Sequence, residues 1–164
     1  MQLVESFLQE LSSLAGEECW GVTGGEGTGS VIALDIGKRT VRAKPFRNVH
    51  LTELVRCYES AYKLLLYCPW RIESKSEVFS GSHMSNVNDG PMVLGLEFIR
   101  GKKIAAVTCS RPALDLQIQF EGEISLVIHC SSIGMDFDEC YVFKGKLGWY
   151  TVGFDVRLAL EKSK

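Results

Sequence analysis

Leu114-Asp115-Leu116-Gln117-Ile118-Gln119-Phe120-Glu121-Gly122-Glu123-Ile124-Ser125-Leu126-Val127-Ile128-His129-Cys130 is the stretch on which the fold turns. Leu114, Leu116, Ile118 and Phe120 alternate with Asp115, Gln117 and Gln119, the period of two that places successive side chains on opposite faces of a strand. Glu121-Gly122 is a tight turn, and Glu123 to Cys130 returns as the partner strand. The reading is therefore a β-hairpin whose apolar face, with Leu126 and Ile128, points inward.

Upstream, a related pattern recurs. Gly101-Lys102-Lys103 leads into this hairpin and ends at Cys130; Gly37-Lys38-Arg39 leads through Tyr62 to Tyr67 and ends at Cys68. The offset is 64 residues at the Gly-Lys end and 62 at the Cys end. Tyr58-Glu59 aligns with Phe120-Glu121, and Leu64 and Leu66 align with Leu126 and Ile128. Self-similarity of this size predicts two copies of one β unit, over about 31–73 and 94–143, closing over a shared core within a single domain of residues 1–164. On this basis Gly37-Lys38-Arg39 is a turn between strands and Glu59-Ser60 turns the first hairpin. Leu51, Leu54, Val55 and Tyr58 also fit a helical spacing, but the repeat favours a strand over residues 50–58, with His50 opening it. Trp70-Arg71-Ile72 and Tyr141-Val142-Phe143 correspond as the strands that follow each hairpin. Gly145 to Gly148 turns the chain into a last strand at Trp149 to Phe154. Asp155 to Lys164 is a polar-ended tail with helical potential.

Leu3, Val4, Phe7, Leu8, Leu11 and Leu14 form a helical stripe that Gly16 ends. Such a stripe serves either as a partner-binding helix or as a lid over a sheet, and the lid is the commoner use. The expected fold class is α+β, mostly antiparallel β, with this helix packed on the sheet.

Composition bounds the function. A chain of 164 residues with 46% apolar and 23% charged residues has a real core and is not a disordered segment. The net charge of -2 and the absence of a Lys/Arg run give no nucleic-acid footprint. Met1 to Ala15 carries Glu5 and Glu10 and lacks the basic start of a secretion signal. No apolar run approaches the roughly 20 residues of a membrane helix. The expectation is a cytoplasmic protein whose six cysteines (Cys19, Cys57, Cys68, Cys109, Cys130, Cys140) are reduced. Without a Cys-x-x-Cys, no zinc site is expected, and no metal or other cofactor.

Enzyme motifs fail on inspection. Thr23-Gly24-Gly25-Glu26-Gly27-Thr28-Gly29-Ser30 imitates a phosphate loop but lacks the Lys before Ser30, and a strand rather than a helix follows. It reads as a hairpin loop. The three histidines, His50, His83 and His129, have no ligand-spaced partners, and His129-Cys130 neighbours on a strand point apart. Trp70, Trp149 and Tyr141 read as packing residues, since no basic stripe interleaves with them. Asp136-Phe137-Asp138-Glu139 lacks a calcium-loop pattern; it is either a solvated acidic turn or a contact patch for a basic partner.

Gly37-Lys38-Arg39, Trp70-Arg71-Ile72, Gly101-Lys102-Lys103, Asp115-Leu116-x-Ile118-x-Phe120 and Glu123-x-Ser125-Leu126-x-Ile128, together spanning about residues 30–152, resemble a family of small β-rich bacterial proteins. Its members occur as immunity proteins of polymorphic toxin systems, including contact-dependent growth inhibition. The resemblance implies a non-enzymatic cytoplasmic protein that binds the C-terminal domain of a cognate toxin, often a nuclease, and blocks it. It carries over no binding residues. Loop chemistry supplies the candidates: Asp136, Asp138 and Glu139, with Tyr141 as an anchor if its ring is exposed, and His83, Asn86 and Asp89 in the long polar connection from Ser74 to Pro91. The alternative is a small-molecule-binding β domain with an apolar pocket between two curved sheets; a hydrolase with an unrecognised site is a weaker third.

Overall fold

A computed structural model describes residues 2–131 and 139–163. The chain opens with helix α1 (Gln2–Ser12), followed by β1 (Glu18–Thr23), β2 (Ile32–Val41), the short helix α2 (Glu53–Cys57), β3 (Tyr58–Leu66), β4 (Trp70–Glu73) and β5 (Val78–Gly81). After helix α3 (Pro91–Leu96) come β6 (Lys102–Ser110), β7 (Asp115–Phe120), β8 (Ile124–Ile128), β9 (Glu139–Lys144), β10 (Gly148–Gly153) and β11 (Leu158–Lys162). The strands form one sheet in the order β11-β10-β9-β3-β2-β1-β6-β7-β8-β4-β5. Every pairing described is antiparallel. Among the described residues, no helix is long and apolar enough to cross a membrane.

The hairpin that opened the sequence argument forms as expected, with Phe120 paired to Ile124 and Leu116 to Ile128. Leu114, Leu116, Ile118, Phe120, Leu126 and Ile128 are all buried. The β1–β2 hairpin brackets the glycine loop, and the tail adds a strand rather than a helix, β11 pairing with β10.

The first copy of the repeat differs from its forecast. Gly37 adopts φ +81, but this makes a bulge and not a turn: the β2–β3 register shifts between Ile36 and Arg39, and β2 continues to Val41. Glu59-Ser60 lies inside β3, opposite Thr40 and Arg39. Residues 53–57 are helical. Thr52 caps that turn, its hydroxyl accepting from the Val55 N–H at 3.4 Å, and Val55 is buried. His50 sits in an exposed turn. The repeat is thus not confirmed at the expected bounds: 31–73 holds β2 to β4, and 94–143 holds the β6-β7-β8 meander and β9. The connection from Ser74 to Pro91 contains a strand, β5, and leads directly into α3, where Gly95 packs against Phe79 and Ser80 so closely that no Cβ would fit.

What the halves do share is an exchange. The strand after β3, β4, crosses to pair with β8. The strand after β8, β9, crosses back to pair with β3. Only two residue pairs, Glu18 with Lys103 and Cys19 with Lys102, join the arms through β1 and β6. The crossovers therefore knit them together, over one core to which both arms contribute.

Helix α1 fills that core. Phe7, Leu11 and Leu14 are 0–2% exposed, and the Phe7 ring lies 5.2 Å from Tyr150, 6.2 Å from Phe143 and 6.4 Å from Tyr141, centroid to centroid. The helix is the expected lid. It is also tied by Glu10, which is buried against the β9–β10 turn. One Glu10 carboxylate oxygen accepts from the Lys146 N–H; the other accepts from the Leu147 N–H at 2.9 Å and the Tyr150 hydroxyl at 3.2 Å. Burial, then the Glu10 charge, pushes the Tyr150 hydroxyl up to about 12. Glu10→Ala strands these donors and is expected to cost about 1–3 kcal/mol in urea unfolding, with Glu10→Gln costing less because an acceptor remains.

Candidate functional site

The crossovers gather loops at one end of the molecule. The Tyr67 and Cys68 N–H groups both donate to the Cys140 carbonyl at 2.9 Å. The Trp70 indole donates to the Ser30 carbonyl at 2.7 Å, fixing the β1–β2 loop. Trp70 and Ser82 exchange bonds: the Trp70 N–H donates to the Ser82 hydroxyl at 3.1 Å, and the Ser82 N–H to the Trp70 carbonyl at 2.9 Å. The Asn86 amide reaches from the β5–α3 loop to the Gly25 and Gly29 carbonyls, each at 3.0 Å. The His129 N–H donates to the Pro69 carbonyl at 2.9 Å. Segments 24–31, 67–69 and 82–90, and the ends of 129–140, thus form one contiguous surface.

Its charge is one-sided. Among the described residues these segments carry Glu26, Asp89 and Glu139 and no Lys or Arg, in a chain that has 18 of those two residues. Of the flanking turns, one brings Arg111, while the other holds an Asp155–Arg157 pair that neutralises itself. Basic groups collect elsewhere. Lys38, Arg39, Arg42, Lys44, Arg47 and Arg56 lie around the far end of the β2–β3 hairpin and the excursion that follows β2. Exposed Val41, Phe46 and Val49 lie among them, and the Arg42 guanidinium stacks 4.0 Å over Phe46. The sequence reading missed this concentration because it spreads over 19 residues rather than one run.

The predicted contact residues divide. Asp136 and Asp138 lie outside the described residues. Glu139 is half-buried as the first residue of β9, and its charge helps to raise the Tyr67 hydroxyl, after burial. His83 and Asp89 are exposed. Asn86 is a brace rather than a free contact. Tyr141 is not an anchor: it is 0% exposed, its hydroxyl donates to the Leu114 carbonyl at 2.8 Å, and its strand position turns the ring inward. Glu26, absent from the forecast, belongs to the same surface.

Beneath the surface the crossovers bring cysteines together. Cys68 follows β3, Cys130 follows β8 and Cys140 is the second residue of β9, and their three sulfurs lie within 4.8 Å of one another. Cys68 and Cys140 are 1% exposed and Cys130 is half-buried. A hydrogen bond with the Cys68 thiol, then burial, pushes the Cys130 thiol up; burial, then Cys130, pushes Cys140 up to about 12. Cys109 on β6, raised to about 11 by burial and then by Cys130, stands nearby. The sequence search for Cys-x-x-Cys could not find this set; the signal was the 62-residue repeat offset of Cys68 and Cys130.

A third cluster lies on the outer face of β2 and β3. Asp35 is 1% exposed, and its Oδ1 accepts from the Ser60 hydroxyl at 2.7 Å and from Lys63 at 3.0 Å. Its Oδ2 is buried with no hydrogen-bond partner. A cleft of about 210 Å³ beside it is lined by Arg42, Phe46, Glu59, Lys63, Lys144 and Trp149. Lys144 bonds Glu59 at 2.6 Å and holds that carboxyl below its usual range, first by the hydrogen bond and then by charge.

No protein-family description, curated protein or solved structure matches this chain.

Proposed function

We propose that the protein is an immunity protein that binds and blocks a basic toxin domain, with the acidic loop end as its contact surface. The observation that carries the reading is the convergence there of loops that, among the described residues, bear the carboxylates of Glu26, Asp89 and Glu139 and no Lys or Arg. A toxin that grips phosphates carries positive charge. A complementary acidic surface speeds encounter and fixes register, while a few desolvated contacts supply most of the affinity. The loops are braced by Trp70, Ser82 and Asn86, so little ordering entropy is lost on binding. Nothing in this reading needs a catalytic group, cofactor or membrane, and it places the partner in the cytoplasm.

The small-molecule alternative asks for an apolar space between the sheet arms. Phe7 and Leu11 of α1, with Leu14 just beyond it, occupy that space with Trp70, Phe143 and Tyr150, so the packing does not favour it.

The experiment is co-expression with the C-terminal toxin domain encoded beside this gene. A stable complex on purification, and survival of cells making both, are expected. Absence of any complex with that domain, or turnover of a substrate by this chain alone, overturns the reading.

A further inference from the structure

We propose that Cys68, Cys130 and Cys140 form a three-sulfur site for one thiophilic d10 metal ion, Zn2+ or Cu+. The argument is geometric. Three sulfurs mutually within 4.8 Å need small side-chain rotations to surround one ion, because metal–sulfur bonds of about 2.3 Å place ligand sulfurs roughly 3.8–4.0 Å apart. The backbones that present them are already fixed. The Cys68 N–H is bonded to the Cys140 carbonyl at 2.9 Å, and the Cys130 N–H to Asp115 Oδ1 at 2.7 Å. Each cysteine sits at a crossover between the arms, so a bound ion joins the same segments that the exchanged strands join.

The donor set sets the metal class. Only sulfurs converge here among the described residues, which selects ions that prefer thiolate over carboxylate. Three protein sulfurs suit trigonal Cu+, and equally a zinc site that keeps one exchangeable position. Cys130, the half-buried member, supplies the route from solvent. A disulfide is the competing use of clustered thiols, but it draws two sulfurs to about 2.05 Å and leaves the third without a role.

The test uses the full chain, reduced and metal-free, under anaerobic conditions, independently of any toxin. One arm titrates Zn2+ and the spectroscopic probe Co2+; the other titrates Cu+ against a competing chelator. Native mass spectrometry should count one ion per chain in at least one arm, and Co2+ should give a thiolate charge-transfer band. Cys130→Ser is the decisive variant, since its partly exposed position tolerates a hydroxyl; its melting curve checks that it remains folded. It should weaken binding more than about 100-fold, beyond what loss of an outer partner costs. Cys68→Ser and Cys140→Ser should do the same where they fold. Cys57→Ser, on α2, should bind as the parent does. Failure to bind one ion in either arm overturns the proposal, as does parent-like affinity in folded Cys130→Ser or loss of binding in Cys57→Ser.

Discussion

Phe7→Ala is expected to lower the unfolding free energy by about 3–5 kcal/mol, the range for deleting a buried aromatic ring. Two contributions add. The ring's transfer from water is lost, and a cavity opens that its neighbours cannot close, because Tyr141, Phe143 and Tyr150 are each held in strands. All three are fully buried, and Phe7 is what α1 sets against them. For a chain of this length the melting temperature should fall by on the order of 10 °C. Guanidinium unfolding of the variant measures the effect directly. A loss below about 1 kcal/mol would mean that α1 merely rests on the sheet.

Asp35→Ala should have the next largest effect, near 3 kcal/mol. Removing one member of a buried pair leaves the other's charge uncompensated, at a cost of about 3–5 kcal/mol. The lower end applies because the Lys63 side chain is 20% exposed and can draw in water. Ser60 also loses its acceptor. The packing around Asp35 leaves no slack: a Cβ added at Gly21 would stand 2.9 Å from the Asp35 Cβ. Replacing both Asp35 and Lys63 by apolar residues of similar volume should cost much less than Asp35→Ala alone, since desolvation of the charges is then avoided. Urea melts of each single variant and of the double variant separate the two cases, and losses that simply add would show that the pair is not coupled.

The parts of the fold that could be read in advance were those where one physical signal acted alone. In β7 and β8 the period of two and the Glu121-Gly122 turn agree, and both strands formed. In the first copy the signals conflicted. The repeat predicts a turn at Gly37; the glycine does adopt a positive φ, but inside a bulge that keeps the strand going. The helical spacing of Leu51, Leu54 and Val55 competes there with the repeat, and the helix prevails over residues 53–57, capped by Thr52. β11 was hidden because Leu158-Ala159-Leu160 is too short to separate strand from helix by period. For the site, chemistry was readable and convergence was not. Glu139 and Asp89 stand out in the sequence by their loops, but only the β4 and β9 crossovers bring those segments together. Glu26 lies in the glycine loop, whose motif points to phosphate chemistry rather than to a contact surface. Tyr141 lies two residues from Glu139, but the β9–β10 register shifts between them, so simple alternation does not relate the two side chains, and packing against Phe7 encloses the ring.

The association rate with the cognate toxin domain, measured by stopped flow at two ionic strengths, tests the central claim most directly. The parent should associate fast at low salt and slow markedly as salt rises, the mark of charge steering. Glu26→Lys with Asp89→Lys and Glu139→Lys reverses the described carboxylates of the acidic end without touching the core. That triple variant should associate roughly 10-fold or more slowly at low salt, with its salt dependence flattened or reversed and its melting temperature little changed. A rate equal to the parent's at both ionic strengths would contradict an interface at this end.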